Sequence, residues 1–217
     1  MSSIAEMFQN QKYVVFNDVI SHEVASLMTD YLFVKKEAGL LVPPVSLGGD
    51  DQQCPLSWSI YGDPLFDTLL ARLAPKLSDM IGVQLIPAYT YSRIYQNGEE
   101  LKYHKDRPSC EISTTMNLGG DEWPIYLEAK KNVGLPEDGF PSKTDNKGTK
   151  VILKPGDMLV YKGMILEHWR EAFIGQDCAQ VFLHYNNSFS PGADDNMFDQ
   201  RPHLGLPAWF KGRKINS

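Results

Sequence analysis

The chain has few cysteines, no excess of basic residues, no long apolar run and no internal repeat. Cys54, Cys110 and Cys178 are too few and too far apart for a disulfide framework or a cysteine-based zinc site. A reducing compartment, the cytoplasm, is the expected location. Lys and Arg number 21 against 27 Asp and Glu, a formal net charge of −6. Proteins that neutralise many phosphates carry a basic patch or excess, so no nucleic-acid partner is expected. No segment is long and apolar enough to span a bilayer, and M-S-S-I-A-E-M-F-Q-N lacks the basic and apolar regions of a signal peptide. No membrane partner is expected either. What is present is an ordinary globular composition, 42% hydrophobic over 217 residues, enough for one domain with a real core.

The pattern changes near residue 85. Before it, K-Y-V-V-F-N-D-V-I reads as a strand, and Ser21 is placed to cap a helix in which Val24, Leu27, Met28, Tyr31 and Leu32 recur at helical spacing. Residues 39–57 form a Pro- and Gly-rich loop, a candidate lid. Asp63 and Pro64 open a second helix with an apolar stripe from Leu65 to Ile81, most simply a core face. After it come short runs with strand composition: L-I-P-A-Y-T-Y-S-R-I-Y, E-I-S-T-T-M-N-L, W-P-I-Y-L-E, K-V-I-L, D-M-L-V-Y-K-G and A-Q-V-F-L-H-Y-N. Helices followed by many strands predict an α+β chain on a β-barrel or jelly roll. The segment 128–148 reads as an exposed polar insertion. The tail after Asn187 keeps Phe189, Phe198, Trp209 and Phe210, which suits wrapping around the body.

Within Y-H-K-D-R-P-S-C, His104 and Asp106 stand two positions apart. On a strand both side chains point to one face. His168, after the P-G-D turn and an apolar run, is the candidate third ligand. Two histidines and a carboxylate on one face of a metal leave other positions open, as in non-haem Fe(II) oxygenases. The same groups also suit zinc in a hydrolase, and a His-x-Asp pair alone is as readily a packed histidine beside a turn carboxylate. Of the other histidines, His22 lies in a helix's first turn, His203 in the tail, and His184 on the last strand as a pocket or core residue.

Together these residues resemble the 2-oxoglutarate/Fe(II)-dependent oxygenases, within them the prolyl-4-hydroxylase-like group. The resemblance runs from about Tyr13 to Asn186 and rests on Y-V-V-F-N-D-V-I-S-H-E-V, on Y-x-x-G-x-x-x-x-x-H-x-D from Tyr95 through Gly98 to Asp106, on the P-G-D strand and on His168. It implies a double-stranded β-helix (jelly-roll) core with N-terminal flanking helices. The helical part covers about 1–84, the barrel about 85–187, and an extended tail follows, all in one domain. It implies that Fe(II) is held by His104, Asp106 and His168. It also implies that 2-oxoglutarate and dioxygen are consumed while a C–H bond of a peptidyl proline, an amino acid or a small metabolite is hydroxylated. Because Asp106 is present, the resemblance points to hydroxylation rather than halogenation.

One position departs from the family. A basic residue about ten places after the distal histidine usually grips 2-oxoglutarate, and here that place is Cys178. Arg170 is the candidate replacement, sharing the inward face with His168, against a rim salt bridge to Glu167 or Glu171. Arg93 and Arg107 are reserves, Arg107 for substrate contact. Tyr95 matches a family tyrosine that hydrogen-bonds 2-oxoglutarate, and Gln180 is a neutral donor on the last strand. Trp58, Trp123 and Trp169 are candidate pocket walls. Two other classes remain open: a different metal enzyme on a cupin-like barrel, and a non-catalytic metal-binding module.

Overall fold

In the computed structural model, residues 3–128 and 148–214 are described. Most of the polar insertion read at 128–148 lies outside them. The elements run α1 (Ile4–Gln11), β1 (Tyr13–Phe16), α2 (His22–Glu37), β2 (Trp58–Tyr61), α3 (Pro64–Ile81), β3 (Leu85–Gln96), β4 (Leu101–His104), β5 (Ile112–Gly120), β6 (Ile125–Leu127), β7 (Thr149–Val151), β8 (Met158–Tyr161), β9 (His168–Arg170) and β10 (Asp177–Asn187). Short helical turns finish the chain. No helix among the described residues is long and apolar enough to cross a membrane.

The strands form two antiparallel sheets. The larger has the order β1-β8-β5-β10-β3-β2, the smaller β4-β9-β6-β7. Alternation along β3 and β10 separates two environments. Ile94, Val181, Leu183 and Tyr185 join Phe8, Phe66, Leu70, Leu73 and Leu77 of α1 and α3 in the main core. The intervening side chains Tyr89, Tyr91, Arg93 and Tyr95 of β3, with Phe182 and His184 of β10, face a cavity between the sheets. Strand pairing sets them as opposed pairs: Tyr95 with Cys178, Arg93 with Gln180, Tyr91 with Phe182, and Tyr89 with His184.

The helix starts follow the sequence signals. Ser21 Oγ accepts from Val24 N, and Asp63 caps α3 with Pro64 at its first position. Three expectations need correction. The first 84 residues are not only helical, because β1 and β2 are the two edge strands of the large sheet. On α2 the buried side chains are Ala25, Met28 and Leu32, whereas Val24 and Leu27 are exposed; adjacent helical stripes overlap in sequence, and packing against β5 selects one of them. The tail is held by polar groups rather than by its aromatics: Phe189 and Trp209 are exposed, while Arg201 is buried in an ion pair with Asp67 (2.9 Å).

Candidate active site

β4 and β9 pair so that His104 stands directly opposite His168, and Asp106 follows β4 at the same end. Among the described residues these three form a group whose potential ligand atoms all lie within 4.8 Å of one another. Asp106 Oδ1 is 3.7 Å from His104 Nε2 and 3.5 Å from His168 Nε2. The tautomers follow from local backbone contacts. His104 Nδ1 lies 2.8 Å from Lys102 O, and His168 Nδ1 lies 3.0 Å from Leu166 O. A carbonyl can only accept, so each Nδ1 carries the hydrogen and each Nε2 keeps its lone pair for a metal. Backbone partners of this kind fix ring orientation and raise ligand basicity.

Burial opposes charge on both kinds of group. It drives the His104 pKa down to about 4, helped by His168, so the imidazole is neutral. Burial also works against the Asp106 carboxylate, but His168 and the Ser113 hydroxyl outweigh it, and Asp106 stays well below the usual carboxylate range. Ser113 Oγ donates to Asp106 Oδ2 at 2.5 Å and accepts from His184 Nδ1 at 3.1 Å. His184 stacks on Tyr89, with ring centroids 4.6 Å apart. Sequence reading placed His184 in pocket or core; its link to Asp106 through Ser113 had no signal in the chain.

Gly163 is a second residue that sequence reading passed over. A Cβ there would lie 2.3 Å from Asp106 Oδ2 and 2.6 Å from Ser113 Oγ. Gly163→Ala is expected to push the carboxylate aside and weaken Fe(II) binding by about 10–100-fold, the range for disturbed support of a ligand. Fe(II) titration of the purified variant measures this, with melting temperature as the control for fold.

His184 sets a pH dependence of the metal-free protein. Burial drives its pKa down to about 4, whereas in an unfolded chain histidine titrates near 6.5. The unfolded state therefore binds more protons between these values, and folding stability falls as pH drops from about 6.5 toward 4. The loss is on the order of 3 kcal/mol for this residue, with His104 adding in the same direction. Urea midpoints at pH 7.5 and 4.5 should differ less in His184→Gln than in the parent.

The cavity has a volume of about 410 Å³ and is lined by His104, Asp106 and His168, the β3 and β10 residues, Leu101 and Ile125. Behind it lies Arg170, 1% exposed. Arg170 donates to the Trp123 carbonyl, to Gln180 Oε1 (2.8 Å) and to Thr115 Oγ1 (3.4 Å), and its Nε has no partner. Its guanidinium sits 5.0 Å from the Trp123 ring. No ion pair joins it to any described carboxylate, so the rim salt bridge to Glu167 or Glu171 is absent; the side chain turns inward instead. Burial lowers its pKa. A fully buried cation without an anion is costly, and a site that keeps one is built for an anionic guest.

The other expected residues fall in different places. Tyr95 is fully buried on the cavity wall, and Arg93 Nη1 donates to its hydroxyl at 3.4 Å. Gln180 is engaged by Arg170 and Thr115, so it is a support for the guanidinium rather than a free donor. Arg93 is held by Asp51 at 2.6 Å. Arg107 lies at the cavity mouth, 4.6 Å from the centre of the Tyr89 ring and paired with Asp199 at 3.0 Å. His22 and His203 are exposed. The three tryptophans do not line the cavity. Trp123 packs on Tyr95 and Phe173, Trp169 stacks between Tyr103 and Tyr126, and Trp58 packs against the main core.

Neutral imidazoles and one carboxylate suit a first-row divalent metal with open positions, and the donor set contains no thiolate. No protein-family model and no curated protein matches the chain. Solved structures do match. A Pseudomonas putida prolyl-4-hydroxylase superimposes with TM-score 0.62 at 9% identity, over 85% of this chain and 97% of that one. SnoK, a non-heme α-ketoglutarate-dependent carbocyclase of nogalamycin biosynthesis, gives 0.66 at 12% identity, over 87% and 85%. HygX from Streptomyces hygroscopicus, solved with nickel and 2-oxoglutarate bound, gives 0.57 at 16% identity, over 84% and 85%. The chain thus has the fold of the non-haem 2-oxoglutarate-dependent oxygenases. The prolyl-4-hydroxylase is the match whose own chain is covered most fully of these three.

Proposed function

We propose that this chain is an Fe(II)- and 2-oxoglutarate-dependent dioxygenase that hydroxylates a C–H bond of a small molecule or peptide. On this reading its two sheets are the walls of a double-stranded β-helix, and the whole chain serves one catalytic domain. The observation that carries the proposal is the pairing of two features in one cavity: the His104, Asp106 and His168 group, and the buried, anion-free Arg170 behind it. A metal-binding module needs only the first. A co-substrate with a free carboxylate needs both.

His104 and His168 offer Nε2 lone pairs, and Asp106 offers a carboxylate whose second oxygen is fixed by Ser113. Arg170 receives the far carboxylate of 2-oxoglutarate, supported by Gln180 and Thr115, with the Tyr95 hydroxyl beside it. A planar guanidinium suits a carboxylate in two parallel hydrogen bonds. Leu101, Ile125 and Phe182 are apolar cavity walls that exclude water from the reacting centre. When bound, iron and 2-oxoglutarate supply the oxidation, in which 2-oxoglutarate goes to succinate and CO2 and one oxygen atom of O2 enters the substrate.

Anaerobic titration of Fe(II) and 2-oxoglutarate into the apo-protein should produce a visible charge-transfer band. Bound iron without that band sinks the 2-oxoglutarate reading and leaves another metal enzyme, for which turnover with zinc and independence from 2-oxoglutarate is the signature.

A further inference from the structure

Arg93 is the second buried guanidinium of the cavity, 8% exposed, and its situation is the reverse of Arg170's. It lines the cavity from the middle of β3. Its charge is already matched by Asp51, whose Oδ2 accepts from Nη2 at 2.6 Å and from Nε at 3.1 Å. Gln53 Oε1 accepts from the same Nη2 at 3.1 Å, and the Tyr91 hydroxyl donates to Asp51 at 3.2 Å.

Asp51 and Gln53 belong to the loop 39–57. Its two ends are fixed elsewhere. Val42 and Ser59 exchange backbone hydrogen bonds (2.7 and 3.0 Å), and Glu99 accepts from Leu56 N at 2.9 Å and Ser57 Oγ at 2.6 Å. Between these anchors, the hydrogen bonds that tie residues 44–53 to the body all run from Asp51 and Gln53 to Arg93 and Tyr91. The loop therefore reaches the cavity through one carboxylate on one guanidinium.

We infer that Arg93 is a carboxylate-binding specificity residue for the substrate, and that Asp51 occupies its place until a substrate carboxylate displaces it and frees the loop. The inference rests on the proposed function, in that the cavity is taken as the substrate chamber, and it names the substrate class: a small carboxylic acid. Exchanging one carboxylate for another keeps the buried guanidinium neutralised, and Asp51 gains water as its loop lifts. An uncharged ligand offers no such exchange, because it would strand a buried cation. The site thus selects against neutral analogues by what they leave unpaired. Arg170 does not compete for this role on the proposed reading, since the co-substrate takes it.

Benzoate and benzamide are suitable probes, titrated by calorimetry into the protein without metal or 2-oxoglutarate, so that failure of the proposed chemistry does not affect the result. Asp51→Asn keeps the shape and the acceptor used by Gln53 N and Cys54 N but removes the competing charge. Benzoate should bind Asp51→Asn at least tenfold more tightly than the parent, and adding Arg93→Met should abolish that gain. Benzamide should bind neither. In the parent, benzoate but not benzamide should speed amide hydrogen exchange in residues 45–53, which decides the matter even if a variant folds poorly. Equal benzoate affinity in the parent and Asp51→Asn, a gain that survives Arg93→Met, or loop exchange indifferent to benzoate would each overturn the inference and leave Asp51–Arg93 a structural tie.

Discussion

Arg170→Met is expected to give a protein that is more stable and far poorer at binding 2-oxoglutarate. The two effects have one cause. The guanidinium is fully buried without a countercharge, and the effective penalty for such an ion is several kcal/mol. Methionine has similar length and no charge to desolvate. Against this, the Trp123 carbonyl loses a donor, at about 1–3 kcal/mol. The net gain should be about 1–2 kcal/mol, read as a higher denaturant midpoint of the apo-protein. The lost grip on a carboxylate is worth about 3 kcal/mol or more, so half-saturation of the charge-transfer band should need at least ~100-fold more 2-oxoglutarate. A variant that is less stable and binds 2-oxoglutarate normally would make Arg170 a core residue and return the anchor to Arg93.

His168→Ala should abolish both the band and turnover. It removes one of three candidate metal-ligand atoms, and it deprives Asp106 of the neighbour that most lowers its pKa. His184→Gln is the matched control. It is as deeply buried, lines the same cavity and touches Asp106 only through Ser113. Fe(II) affinity in His184→Gln should stay within about 10–100-fold of the parent, the range for residues that support a ligand rather than act as one. Equal loss in both variants would mean that the cavity, not the triad, was being damaged.

The meeting of His104, Asp106 and His168 was legible because strand alternation is a strong local rule and a P-G-D turn marks the start of a strand. The inward turn of Arg170 followed from the same rule, two positions beyond His168. Its support by Gln180 and Thr115 did not, because that depends on which strands become neighbours. β10 lies between β3 and β5, and no local pattern says so. Asp51 was hidden for a different reason: a loop has no periodicity from which to infer a direction. Gly163 was hidden because a close approach is a property of two backbones, and only one is visible in any stretch of sequence. The wrong stripe on α2 and the exposed tail aromatics share a cause, since hydrophobicity tells what can be buried and packing decides what is.

The four opposed pairs of β3 and β10 amount to a ruler laid along the chamber. Steps on one strand recur about every 7 Å, two residues at a time, so each pair reads a guest at its own depth. At one end stand Tyr95 and Cys178, at the other Tyr89 and His184, with Arg93 and Gln180, then Tyr91 and Phe182, between. A change at one mark alters recognition there and leaves the others in register. Only odd positions of β3 and even positions of β10 carry marks in this stretch, because the alternate side chains belong to the core. Repurposing the chamber for a longer or shorter guest is therefore a matter of choosing a mark, and an insertion in either strand would scramble the whole scale.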